Sequence, residues 1–327
     1  MADDRYEILQ QLGGGHFGTV YLARHKVLDR ECALKLIPVR NEDILAEARN
    51  LASLPEHDNV LKVLDGGDWD EQFVFIASDL CMGGTLADVA GSEPLDPGRA
   101  CELISYSCRG LEHLHEHDLL HLDIRPANIL LSDGKPRLAD FGLAKWRHEA
   151  DVDDWYGPHA APELVETGRA APTSDIFSMA MTLAHVLTGG SLCRPFPVQS
   201  DLVQAAADGD WPRLHELGPN VPPKLRKLLE VATQYDPDGR PQSVAEFKRL
   251  LDRATPVVSL AQVDADTLES TDGIWSVTTI AGKNGRLAVE VKRNGRRRVP
   301  MCGKDLSPVQ ARARVQRVVK QLAAGAL

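Results

Sequence analysis

The 327-residue chain contains no uncharged apolar run close to the roughly 20 residues that a membrane-spanning helix needs. Its opening residues, Met1-Ala2-Asp3-Asp4-Arg5, are acidic and have no apolar core, so no secretory signal is expected. Six cysteines (Cys32, Cys81, Cys101, Cys108, Cys193 and Cys302) include no CxxC pair and show no framework spacing. Free thiols in a reducing cytoplasm are the expectation, not a disulfide-stapled scaffold.

What is present is unevenly charged. Residues 256–327 hold 12 Lys and Arg against 6 Asp and Glu, net +6; the remainder holds 25 against 41, net −16. The change of sign coincides with a stretch rich in small and acidic residues, read as a linker over 253–272. The length exceeds one typical domain and can bury a sizeable core.

Two short stretches carry chemistry. In His121-Leu122-Asp123-Ile124-Arg125-Pro126-Ala127-Asn128 an Asn stands five residues after an Asp, and Asp140-Phe141-Gly142 follows. Phosphoryl transfer needs a carboxylate to orient the attacking hydroxyl and oxygen ligands for the metal ions on the phosphates. Upstream, Gly13-Gly14-Gly15-His16-Phe17-Gly18-Thr19-Val20 reads as a glycine-rich turn between the β-prone flanks Tyr6-Glu7-Ile8-Leu9 and Val20-Tyr21-Leu22-Ala23. Glycines let the backbone lie against phosphates with no Cβ in between. Alone, such a pattern is equally a dinucleotide-binding turn. Here it runs on into a strand and no βαβ unit follows. Lys35, in the apolar run Ala33-Leu34-Lys35, comes seventeen residues after the last glycine of the loop.

In this order and spacing the motifs resemble a eukaryotic-type (Hanks-type) Ser/Thr protein kinase of the kind found in bacteria, from about Tyr6 to about Leu251. Glu47 falls where that family's αC glutamate pairs with the strand lysine. His57-Asp58-Asn59-Val60 resembles the loop after that helix. Ala161-Pro162-Glu163 closes the activation segment, and Ser174-Asp175-Ile176-Phe177-Ser178 resembles the start of the long buried helix of the C-lobe. Asp236-Pro237-Asp238-Gly239-Arg240-Pro241 resembles the late motif whose arginine pairs with the glutamate of Ala-Pro-Glu.

The resemblance implies an α+β, bilobal kinase domain over 1–252, with a β-rich N-lobe to about 80 and a helical C-lobe from about 82. ATP would lie between the lobes, against Leu12, Gly13, Gly14, Gly15, Gly18, Val20, Ala33, Lys35, Ser78, Asp79 and Cys81. Lys35, held by Glu47, would contact the α- and β-phosphates. Asn128 and Asp140 would ligate Mg2+, with Mn2+ as the substitute. Asp123 would orient the substrate hydroxyl and accept its proton late. Arg125 would bring positive charge to the transferring group, where the Ser/Thr class usually has lysine, and the two are not equivalent. Aligning Gly83-Gly84-Thr85-Leu86 to the family's post-hinge segment makes Ser78 the gatekeeper and Asp79-Leu80-Cys81 the hinge.

Departures from the family pattern are informative. Leu122 replaces the arginine that docks an activation-segment phosphate in many kinases. No Ser or Thr lies between Asp140 and Glu163, where Tyr156 is the sole hydroxyl. Activity independent of phosphorylation there is the expectation. Asp151, Asp153 and Asp154 read as a solvated charge run. Tyr156 falls where threonine is usual and His159 where tyrosine is usual, so the substrate loop is atypical.

The tail, 273–327, reads as a small basic module of a β-meander plus a helix, with no family recognised in its residues. Ile274 to Ile280 and Arg286 to Lys292 read as strands around a Lys283-Asn284-Gly285 turn, and Asn294-Gly295 offers a second turn. Ser307-Pro308 reads as an N-cap and first turn, and Val315, Val318, Val319 and Leu322 form a helical stripe. Three readings compete: an active cytoplasmic Ser/Thr kinase with a protein substrate, a pseudokinase scaffold, and a nucleic-acid-binding protein regulated by its kinase domain. The intact Lys35, Glu47, Asp123, Asn128 and Asp140 favour the first. The basic tail fits an acidic protein partner or self-docking on the acidic kinase domain, with nucleic acid as second choice.

Overall fold

The computed structural model describes residues 4–15, 18–39, 54–91, 93–149, 157–193 and 199–326. Five strands open the chain: β1 (Tyr6–Gly15), β2 (Gly18–His25), β3 (Arg30–Pro38), β4 (Val63–Asp68) and β5 (Phe73–Ser78). They form one antiparallel sheet in the order β1-β2-β3-β5-β4. Side chains alternate across the pleat. Cys32, Leu34 and Leu36 of β3 pack with Phe75 and Ala77 of β5 on one face. Ala33, Lys35 and Ile37 therefore point to the other face. Ile37 clusters there with Val74 and Ile76. The register sets Val20 opposite Lys35 and Ala33 opposite Ser78. Four of the residues expected to meet ATP thus share one sheet face.

A helical region follows: α1 (Leu86–Ala90), α2 (Pro97–Glu116), α3 (Pro162–Thr167), α4 (Pro172–Leu187), α5 (Gln199–Ala207), α6 (Pro223–Ala232) and α7 (Val244–Ala254). Between α2 and α3 lie the short strands β6 (Leu119–Leu120), β7 (Ile129–Ser132), β8 (Lys135–Leu138) and β9 (Lys145–Trp146). β7 pairs with β8, and β6 with β9. Asp96 caps α2 by accepting the Arg99 N–H at 2.9 Å, and Pro97 opens the first turn. α4 is the pillar of this lobe. Every residue from Thr173 to Ala184 is buried, as expected for a helix without a polar face. Its internal hydroxyls are satisfied: Ser178 Oγ donates to the His159 carbonyl at 2.8 Å and to that of Ser174 at 3.1 Å, Thr182 Oγ1 to that of Ser178 at 2.8 Å, and Ser174 Oγ to Glu163 at 2.8 Å.

Arg240 locks α3 to this lobe. Its side chain is fully buried and forks onto Glu163, with both guanidinium nitrogens 2.8 Å from a carboxylate oxygen. Further bonds reach the carbonyls of Thr173, Gln234 and Tyr235, so no donor faces hydrocarbon unpaired. No helix among the described residues is long and apolar enough to cross a membrane.

The tail has its own core. Strands β10 (Leu260–Gln262), β11 (Thr267–Ser270), β12 (Trp275–Ala281), β13 (Leu287–Arg293) and β14 (Arg296–Arg297) form a meander, with β15 (Gly303–Leu306) also on β13. Helix α8 (Pro308–Ala323) covers one face. Val315, Val318, Val319 and Leu322 bury against Leu268, Trp275, Val277, Val289 and Val291. Ser307 caps α8 in a reciprocal box with Gln310. The linker expected over 253–272 is corrected here. α7 runs to Ala254, and β10 and β11 belong to the tail's sheet, with Leu260 and Leu268 in its core. Their acidic neighbours hid the strands. The module meets the kinase region at the start of α2, where the Gly98 N–H donates to Ser259 Oγ at 2.8 Å and Thr271 Oγ1 to Asp96 at 3.2 Å.

Separate cores predict that a chain lacking 256–327 stays soluble and unfolds cooperatively in urea; an insoluble product would show that the tail completes the larger core. Arg240→Ala should destabilise the larger unit by about 3–5 kcal/mol, because Glu163 loses the charge paired with its carboxylate. Urea midpoints with unchanged slope would measure this.

Candidate active site

The loop between β6 and β7 is held from beneath by Asp175 of α4, which is fully buried. Its Oδ1 accepts the Leu122 N–H at 2.8 Å. Its Oδ2 accepts the His121 N–H at 2.9 Å and lies 2.7 Å from His115 Nε2. Burial alone would raise the Asp175 pKa. The bond and charge of His115, with the bonds from His121, outweigh it and hold the carboxyl below its ordinary value. These bonds support an unusual backbone, since Leu122 has φ 63°, a region that costs a side-chain-bearing residue energy. Leu122 itself is buried in the C-lobe core.

Asp123 follows directly and is buried. Asn128 Nδ2 donates to its carboxylate at 2.6 Å and to its carbonyl at 2.9 Å. Arg125 Nε lies 3.3 Å from the other carboxylate oxygen. Burial, aided by the Asp140 charge, pushes the Asp123 pKa up to about 6, against the pull of Arg125 and Asn128. A carboxylate so placed is more basic than one in water and has an oxygen to offer a hydroxyl.

The Ala139 N–H donates to the Asn128 carbonyl at 2.9 Å, which sets Asp140 beside Asn128. Asp140, at φ 59°, receives Lys35 Nζ at 2.9 Å across the two lobes. Burial works against its ionisation, but the charge and hydrogen bond of Lys35, with His121 and Arg125, hold its carboxyl below the ordinary range. Phe141 packs on His121 at a ring distance of 4.7 Å. Because Asn128 uses its nitrogen on Asp123, its Oδ1 and the Asp140 carboxylate are left as oxygen donors. That is the ligand type a hard divalent cation takes, so the residues fit Mg2+.

The glycine-rich segment joins β1 and β2. Leu12, Gly13 and Gly14 sit on β1, and Gly15 pairs with Gly18. At Gly18, with φ 137°, a Cβ would stand 2.3 Å from the Leu36 carbonyl, so the loop settles on β3 only with glycine there. Ser78 ends β5, buried opposite Ala33. Asp79 holds Arg30 at 2.8 Å and Arg137 at 3.0 Å. Cys81 is a half-buried free thiol whose pKa is raised by burial. Glu47 and Tyr156 lie outside the described residues. His159 is buried, stacks on His185 at 5.3 Å and is held neutral, chiefly by burial, with its pKa lowered to about 3.

The structure thus brings together Lys35, Asp123, Arg125, Asn128 and Asp140. Sequence reasoning missed the anchoring role of Asp175 and the two arginines on Asp79. A lone aspartate leading the apolar run Ile176 to Leu187 was the available signal for the first, since such a charge must find internal partners.

A sheet lobe and a helical lobe, joined by a lysine–aspartate pair above a buried loop aspartate, define the bilobal protein-kinase fold. A model of the protein kinase domain matches residues 6–251, and the chain belongs to this family. Among curated relatives, the serine/threonine-protein kinase PrkC of Bacillus subtilis is 29% identical over 260 residues, covering 75% of this chain and 39% of its own length. PknL of Mycobacterium tuberculosis is 32% identical over 256 residues, covering 73% and 63%. PknB of Mycolicibacterium smegmatis is 31% identical over 271 residues, covering 75% and 42%. The chain therefore spans less than two thirds of the length of each of these relatives.

Asp175→Ala should destabilise the fold by about 2–4 kcal/mol, because two buried N–H groups lose their acceptor. It should also speed amide exchange at His121 and Leu122, which hydrogen-exchange mass spectrometry would detect. Unchanged exchange there would show that the loop holds its shape without Asp175.

Proposed function

We propose that the chain is an ATP- and Mg2+-dependent protein kinase that phosphorylates Ser or Thr of a protein substrate. The observation that carries this is the buried Asp123 carboxylate, set by Asn128 and Arg125 next to the Lys35–Asp140 pair. Lys35 moves between Asp140 and the α- and β-phosphates. Asp123 orients the substrate hydroxyl. As its oxygen bonds to the γ-phosphorus, the bond to the ADP oxygen breaks and the hydroxyl proton passes to Asp123. Arg125 sits against Asp123 and faces the transferred group with positive charge. Asn128 and Asp140 are the metal ligands in this reading; Mg2+, or Mn2+, when bound supplies charge neutralisation on the phosphates. Ser78, small and opposite Ala33, leaves space behind the adenine. We also place the protein in the cytoplasm, a setting that suits its free thiols.

Activity without activation-segment phosphorylation is part of the proposal. Leu122 supports it, since buried hydrocarbon stands where an arginine would dock a phosphate.

Purified protein incubated with Mg-ATP and a generic protein substrate should yield phosphoserine or phosphothreonine by mass spectrometry. Asp123→Ala, Asp140→Ala and Lys35→Ala should each reduce the rate by at least about 10²-fold, and chelation of the metal should abolish it. Near wild-type turnover by Asp123→Ala would overturn the assignment and favour a scaffold. Phosphatase treatment beforehand should leave the rate unchanged; a large loss traced to Tyr156 would refute independence. Ser78→Met should keep ATP turnover but lose inhibition by compounds with bulky groups behind the adenine, and equal inhibition of both forms would show the gatekeeper lies elsewhere.

A further inference from the structure

Five cations crowd the β13–β14 hairpin. Its two-residue turn has Asn294 at φ 50° and Gly295 at φ 73°, the left-handed pair that a type I′ turn requires. The register places Arg293 directly opposite Arg296 and Lys292 directly opposite Arg297. Like charges directly opposite one another weaken a strand pair. Two such pairs follow in succession here, and Arg298 comes next. Glu290 relieves one of them, with Lys292 Nζ at 2.8 Å and Arg297 Nε at 3.7 Å. Among the described residues, Arg293, Arg296 and Arg298 have no carboxylate partner. Arg293 rests instead over the face of Trp275, 5.2 Å from the ring centre. From Arg293 to Arg298 the hairpin is exposed.

The contact between the module and its own kinase domain does not use this hairpin. It runs through Ser259 and Thr271, and no ion pair joins the two units among the described residues. Self-docking within one chain therefore does not account for the arginines. A repulsive arrangement that Glu290 relieves only in part, with no other carboxylate partner among the described residues, is suited to an external polyanion.

We propose that the β13–β14 hairpin is a binding surface for the phosphate backbone of double-stranded nucleic acid. A duplex carries about one charge per 1.7 Å of axis, dense enough to meet five cations on one hairpin. An acidic protein surface is far more dilute; residues 1–255 of this chain carry a net −16 in all. A two-stranded ribbon fits the roughly 12 Å width of a major groove. Four of the five cations are arginines, whose planar forks match phosphate oxygens. The duplex is favoured over a single strand because single-strand surfaces stack bases on exposed aromatics. Trp275 is the sole aromatic residue of 256–327, and it is 4% exposed.

The test is fluorescence anisotropy of the full chain with labelled DNA and RNA duplexes of about 20 bp, between about 50 and 200 mM salt. Binding should weaken linearly on a log–log plot against salt, and a single strand of the same sequence should bind less tightly. The double variant Arg296→Gln with Arg298→Gln should bind about tenfold more weakly, with a salt slope shallower by roughly two units. Its melting temperature should not fall, since the Arg293–Arg296 repulsion is removed. If it does fall, Arg296→Lys decides the matter: it should keep the salt slope and lose affinity with the fork. The proposal is overturned by no duplex binding at the lowest salt, by equal affinity of wild type and variants, or by tighter binding to polyglutamate or to phosphatidylserine vesicles than to either duplex.

Discussion

Burying an ionised carboxylate costs several kcal/mol unless its oxygens are well supplied with donors. Asp175 meets that condition with two backbone N–H groups and an imidazole, and in doing so it dictates where the catalytic loop runs. The loop's left-handed turn at Leu122 is strained, and this anchor opposes its relaxation. Asp123, Arg125 and Asn128 inherit their positions from it. Through the Asn128 carbonyl and the Ala139 N–H, so does Asp140. The site is thus built upward from α4, whose residues from Thr173 to Ala184 are all buried.

Charge separates the two folding units as clearly as their cores do. The larger one surrounds a cleft where cations and carboxylates alternate at contact distance, from Lys35 to Asp140 and from Asp123 to Arg125. The smaller one gathers charges of one sign on a hairpin. Interleaved signs favour a rigid, internally satisfied site, whereas a single sign favours a surface completed from outside. The same chain uses both arrangements, with two hydroxyls, Ser259 and Thr271, at the join.

Much of this was legible in the sequence. The motif residues have fixed spacing because each holds one place in the cleft, and spacing survives translation into structure. The α8 stripe was legible too, since Val315, Val318, Val319 and Leu322 recur at helical period. β10 and β11 were not. They are short, and the buried face of β11 holds polar Ser270 beside Leu268, so no apolar alternation marked the pleat. Asp175 could be placed on a helix but not assigned its partners, because His115, His121 and Leu122 reach it only through tertiary packing. The arginines on Asp79 come from β3 and β8, 107 residues apart in number, and no local pattern joins them.

Those two arginines bear on how the cleft opens. Arg30 starts a strand of the sheet lobe and Arg137 sits on a strand of the helical lobe, yet both close on one carboxylate between them. Moving either lobe away from Asp79 stretches one of the two contacts. Asp79 therefore ties the sheet lobe to the helical lobe, and because its partners are partly solvated, added salt weakens that tie. Ionic strength thus bears on the link between the lobes through two contacts that lie outside the Lys35–Asp140 pair.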